Sequence, residues 1–145
     1  LAIKDLKNKK SLGLADFFRI FQIGTPENFL EKLGDDFTLF VYSTKGQNQL
    51  GFVAKVKEKE ELSQLLNSWE ETMDEDFSNL SLFLGKKEPI LRPVFKKGQY
   101  KKQVFRYLSF PGLPNFGICY AIVNDYFIFT YSGESTMKTI DNILR

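Results

Sequence analysis

Residues 116–131, FGICYAIVNDYFIFTY, constrain the fold of this chain more than any other stretch. Two apolar runs flank Asn124-Asp125, a polar pair of the right length and type for a tight hairpin turn. Apolar residues occupy both parities of the period-two pattern, with Ile118, Tyr120 and Ile122 on one face and Cys119, Ala121 and Val123 on the other. A strand with one wet face would alternate. This pattern predicts a central hairpin covered on both sides, so the rest of the chain must supply packing layers for two faces of a sheet.

Upstream, Leu14, Phe17, Phe18 and Phe21 follow one helical stripe, which predicts a short amphipathic helix ending near Gln22, before Gly24. Thr25-Pro26-Glu27 has the chemistry of a second helix start: a cap residue, proline in the first turn and an acid facing the dipole. Phe29, Leu30 and Leu33 would be its buried face and Gly34 its terminator. Residues 37–44 and 50–56 read as strands joined by the polar loop TKGQNQ. From about 58 to 76 an amphipathic helix is expected, with Leu62, Leu65, Leu66, Trp69 and Met73 inward. Its acidic face would carry Glu58, Glu60, Glu61, Glu70, Glu71, Asp74 and Glu75.

Residues 79–87 read as a looser connection, with a turn at 85–89. A second hairpin is expected from 90–96 and 100–110 around Lys97-Gly98-Gln99, its first strand at a sheet edge because Pro93 lacks the ladder donor. Residues 111–114 then reverse the chain into the central hairpin. After it, Ser132 caps a last helix over 134–144 that would bury Met137, Ile140 and Leu144. The order strand-strand-helix thus occurs twice. It predicts an α+β fold: an antiparallel sheet of about six strands, two strand-strand-helix units and two short N-terminal helices.

A chain of 145 residues has room for one domain with a substantial core, and 43% hydrophobic content with 15 Phe argues against disorder. Residues 1–145 are read as a single globular domain, with 1–10 as a tail or the remnant of an N-terminal anchor region. The absence of histidine excludes Ser-His-Asp triads, Cys-His dyads and histidine metal sites. A single cysteine, Cys119, excludes an intrachain disulfide and a cysteine zinc cluster, and its apolar strand setting predicts an inert core thiol. No nucleotide-binding glycine loop or nucleophile elbow is present. No cofactor, metal site or catalytic constellation is therefore expected.

The formal net charge is only +2, but cations cluster on the second hairpin, residues 94–107. Lys96, Lys97, Lys101, Lys102 and Arg106 alternate with Phe95, Tyr100, Phe105 and Tyr107. Such interleaving can hold an anionic polymer, either a nucleic acid or an anionic lipid surface, with Tyr100 among the cations. The plainer reading, favoured here, is that lysines on a hairpin tip and edge block sheet-to-sheet aggregation. Three weaker candidates have ordinary explanations. The acidic helix face is read as solvated, residues 132–136 as helix capping, and Asp35-Asp36 as neighbours pointing to opposite faces.

The run Leu66-Asn67-Ser68-Trp69-Glu70-Glu71-Thr72-Met73-Asp74-Glu75-Asp76-Phe77 resembles a segment of uncharacterised membrane-anchored proteins of candidate-phylum bacteria with small genomes. Thr25-Pro26-Glu27-Asn28-Phe29-Leu30, the strand around Tyr120-Ala121-Ile122 and Thr130-Tyr131-Ser132 are similar as well. The resemblance covers the chain from about Leu12 onward and implies an upstream membrane segment, with this domain in the cell envelope outside the cytoplasmic membrane. It implies no catalytic residues. The expected function is a non-catalytic envelope domain making protein contacts or serving a structural role, with an unidentified protein partner. The alternative is an anionic-polymer binder using the basic hairpin.

Overall fold

The central hairpin forms where its apolar pattern demands. In the computed structural model, strands β7 (Gly117–Val123) and β8 (Tyr126–Thr130) pair around Asn124-Asp125, with Asn124 at φ 54. A left-handed residue at this turn position matches the twist of the strands, and asparagine tolerates it better than most residues. The structure describes residues 3–5, 10–20, 23–44, 47–73, 95–109 and 117–145. Besides the central pair, these comprise β1 (Ile3–Asp5), β2 (Lys10–Leu12), α1 (Leu14–Ile20), β3 (Leu33–Thr44), β4 (Gln47–Val56) and α2 (Lys59–Trp69). Strands β5 (Lys96–Tyr100) and β6 (Gln103–Ser109) and helix α3 (Gly133–Ile143) complete the set.

Strands β3 to β8 form one antiparallel sheet in the order β3-β4-β8-β7-β6-β5, which puts β8 and β7 at its centre. The fold is α+β, and both strand-strand-helix units are present, β3-β4-α2 and β7-β8-α3. The two parities of the central hairpin face different cores. Ile118, Tyr120, Phe127 and Phe129 pack with Phe52, Phe18, Phe29, Leu62, Leu66 and Trp69 beneath α1 and α2. Ala121, Val123 and Ile128 pack with Ile140 beneath α3.

Aromatic rings fill the larger core. Phe52 stacks on Phe129 at 5.4 Å, Phe18 meets Phe52 edge-on at 5.7 Å, and Phe29 lies 5.1 Å from Trp69. Each such pair adds about 0.5–1.5 kcal/mol beyond its burial. The smaller core is built differently. Helix α3 sits on β7 and β8 through Ser135, Thr136 and Thr139, whose small size permits close approach, and through the apolar Ile140. The buried hydroxyls are bonded: Thr139 Oγ1 donates to Ser135 O at 2.7 Å, and the Thr130 and Thr136 hydroxyls lie 2.7 Å apart.

Several expectations need correction. The second N-terminal helix does not form: Asn28 takes φ 64, Phe29 N–H bonds Pro26 O, and only a single 3₁₀ turn follows, Leu30–Lys32. The cap-and-proline signal is overridden because this break lets Phe29 bury completely among Phe18, Trp69 and Phe127. Gly34 consequently lies inside β3 instead of ending a helix. Strands β3 and β4 run into the expected loop and pair as far as Thr44 with Gln47. Helix α2 ends at Trp69. The last helix buries its small polar face, leaving Met137 half-buried and Leu144 exposed.

The second hairpin turns at Lys101-Lys102, both left-handed at φ 47 and φ 64, and not at Lys97-Gly98-Gln99. Gly98 is needed within β5 because a Cβ there would lie 2.4 Å from the Phe105 ring. Of the 1–10 segment, Ile3–Asp5 pairs with Lys10–Leu12 in a small separate sheet. The expected end of the acidic helix at 76, the connection over 79–87, Pro93 and the reversal at 111–114 lie outside the described residues.

Gly51 is a position where close approach tolerates no side chain. An added Cβ would lie 2.5 Å from the Phe40 ring and 2.9 Å from the Phe129 carbonyl oxygen. We expect Gly51→Ala to destabilise the fold by about 1–3 kcal/mol in urea denaturation. Gly133→Ala, with open space around the new methyl, should be neutral or stabilise by up to about 1 kcal/mol. Equal effects at the two positions would refute the packing argument.

Candidate functional site

The basic hairpin is divided by the pleat of its own strands. Lys97 pairs with Arg106 on the face that carries α2, while Lys96 pairs with Tyr107 and Tyr100 with Gln103 on the face that carries α3. Lys101 and Lys102 form the turn. The six candidates Lys96, Lys97, Tyr100, Lys101, Lys102 and Arg106 therefore do not share one surface. Alternation of side chains along a strand makes that division unavoidable.

Arg106 is engaged inward. Its Nε donates to Glu70 Oε1 at 2.7 Å and its Nη2 to Oε2 at 2.6 Å, a bidentate fork. Tyr120, directly across from Arg106 in the β6–β7 register, donates its hydroxyl to the same Oε1. Glu70 caps the C-terminus of α2 with its side chain only 13% exposed, against 33% for Arg106. The carboxylate raises Arg106 further above its ordinary value. Burial, and then Glu70, raise the Tyr120 phenol, holding it as a donor. The triad ties the end of α2 to β6 and β7.

Glu70 was expected on the solvent face of its helix. Its spacing carried the contrary signal, because Glu70 follows Leu66 by four residues and Leu62 by eight, on the stripe that faces the core. A second tie lies across the sheet. Lys101 Nζ sits 2.5 Å from Asp141 Oδ1, and the Tyr100 hydroxyl donates to Asp141 Oδ2 at 3.2 Å. Lys101 holds the Asp141 carboxyl below its ordinary range, and Asp141 raises the lysine. The hairpin tip is thereby fastened to α3.

Lys96, Lys97 and Lys102 are exposed and make no ion pair among the described residues. The aromatics expected as stacking platforms are occupied: Phe95 is buried against Tyr120, and Phe105 lies against Gly98 and Tyr107. On the acidic helix, Glu58 and Glu61 bracket Lys32, fixing the 3₁₀ turn to the start of α2. Asp35 and Asp36 are exposed, with Lys57 3.8 Å from Asp35. Ser132 caps α3 by accepting from Ser135 N–H at 3.1 Å, which is ordinary capping. Two open clefts of ≈ 470 and ≈ 490 Å³ lie beside the Lys32 ion pairs and beside Leu14, away from the basic hairpin.

Among the described residues, no group of three or more His, Cys, Asp or Glu side chains is placed to hold a metal ion, and no helix is long and apolar enough to cross a membrane. Comparison with protein-family models, with curated proteins and with solved structures found no match.

The triad predicts strong coupling. We expect Arg106→Ala and Glu70→Ala each to destabilise, and a double-mutant cycle to give a coupling of about 1–3 kcal/mol. A coupling near zero would show the pair to be incidental. Cys119 yields a pH prediction. Burial raises its thiol from 9.0 to about 12, with a hydrogen bond from Thr136 opposing. The unfolded thiol ionises above 9.0 while the native one keeps its proton, so stability falls as pH rises across that interval. Urea denaturation at about pH 8 and about pH 10 should show a smaller loss in Cys119→Ala than in the parent chain. An equal loss in both removes the thiol as a contributor.

Proposed function

We propose that this chain is a non-catalytic domain of the cell envelope, held outside the cytoplasmic membrane by an upstream anchor and making protein contacts. The location follows the resemblance drawn from residues 66–77 and its companion segments. The observation that carries the contact reading is the asymmetry of the two sheet edges. Strand β5 carries Lys96 and Lys97 on its edge, a common guard against unwanted strand pairing. Strand β3, at the other edge, has no charged residue from 37 to 44, and Val41 is 59% exposed. An uncharged edge run of this length is a surface for backbone pairing.

A second reading draws on Lys96, Lys97 and Lys102, exposed lysines that make no ion pair among the described residues, as contacts for an anionic polymer. Lys101 and Arg106 contribute less to it, since Asp141 and Glu70 already neutralise them.

The location is tested by fractionating the full-length gene product and treating intact cells with protease. We expect a membrane-bound product cleaved from outside; a soluble, protected product overturns the envelope assignment. The polymer reading requires salt-sensitive retention on heparin that weakens in the Lys97→Glu, Lys102→Glu double variant, since each lost contact to an anionic group reduces the salt dependence. Retention that is absent or unchanged eliminates it.

A further inference from the structure

Strand β3 is a continuous strand that pairs on one side among the described residues. Its register with β4 runs without a break from Phe37–Ala54 to Thr44–Gln47, and no described strand pairs with its outer edge. Its side chains are already placed. The Phe40 ring lies against Gly51 and 5.0 Å from the Tyr42 ring, the Tyr42 hydroxyl accepts from Asn142 Nδ2 at 3.1 Å, and Lys138 Nζ lies 5.7 Å from the Tyr42 ring centroid. A strand ordered in advance binds without the cost of ordering it. The outer backbone N–H and C=O groups of such an edge match only another extended chain.

We propose that the occupant of this edge is a second copy of the same chain, joined β3 to β3 in antiparallel register about a two-fold axis near Val41. Three features favour a copy. In an antiparallel self-pairing about Val41, residues of like parity meet: Val41 faces its own copy and Leu39 faces Ser43 on one face, and Phe40 faces Tyr42 on the other. Phe40 with Tyr42 is an aromatic cross-strand pair of the kind that stabilises a sheet. No charge lies between 37 and 44, so no like charges are opposed within the joint. The acidic start of each strand, Asp35-Asp36, falls at opposite ends of an antiparallel joint, so the carboxylates of the two copies do not meet. The contact is isologous and closes on itself, with β5 and its lysines at both outer edges of the extended sheet.

This assignment rests on the reading of the chain as a protein-contact module. The test is sedimentation equilibrium of the chain, its Val41→Lys variant and a Val104→Lys control on β6, another exposed apolar position. We expect a reversible dimer for the parent and the control. In Val41→Lys the dissociation constant should rise about tenfold or more, with unchanged circular dichroism, because two lysines would face each other at the axis. Val41→Cys should form a disulfide-linked dimer under mild oxidation, since directly opposed strand residues lie about 4.5–5.5 Å apart at Cα, within disulfide reach. A chain monomeric at every concentration overturns the proposal, as does a dimer that persists in Val41→Lys and fails to cross-link through Val41→Cys. The broader reading is judged apart from it, by cross-linking Val41→Cys in intact cells. A link to a different protein keeps the contact module and removes the second copy, whereas no link of either kind removes both.

Discussion

Burial of β7 and β8 on both faces is the constraint from which the remaining architecture follows. Ile118, Val123, Phe127 and Ile128 are completely buried, and they point in two directions. Each side therefore needs its own cover. The covers differ in chemistry: aromatic rings under α1 and α2, and small hydroxyl-bearing residues under α3. The second cover is the more tightly specified, because Thr130, Thr136 and Thr139 must bond one another or nearby carbonyls to be buried without loss.

The helices are joined to the sheet by charge as well as by packing. Glu70 draws Arg106 and Tyr120 together at the end of α2, and Asp141 draws Lys101 and Tyr100 to α3. Both ties use members of the basic hairpin, which changes what that hairpin can offer a ligand. Two of its five cations serve as struts, and the other three are divided between the faces and the tip. The uncharged edge of β3 is the more coherent surface, because its backbone groups and side chains share one geometry.

Most of the architecture was legible because it depends on periodicity. The central hairpin, the paired strand-strand-helix units, the buried Leu62, Leu66 and Trp69, the buried Cys119 and the Ser132 cap all follow from local patterns. The candidate hairpin was legible as a cluster of cations but not as a geometry. Gly98 drew the expected turn toward itself because glycine usually marks turns, while the true turn sits on two lysines in left-handed conformations. Glu70 was assigned to water by its charge although its spacing pointed to the core.

By itself, the sequence determined the fold class, the central position of residues 116–131 and the absence of histidine and of an intrachain disulfide from these 145 residues, since each rests on composition or on a repeat along the chain. Only the tertiary structure decided that Thr25-Pro26-Glu27 opens no helix, that Arg106 faces inward and that β3 lies at an edge of the sheet. Those outcomes rest on contacts between residues far apart in the chain. Phe29 requires the aromatic core from β4, β8 and the helices, and Arg106 requires a carboxylate 36 residues away. Strand order, which makes β3 an edge, arises from pairing β4 with β8, a choice no local pattern encodes.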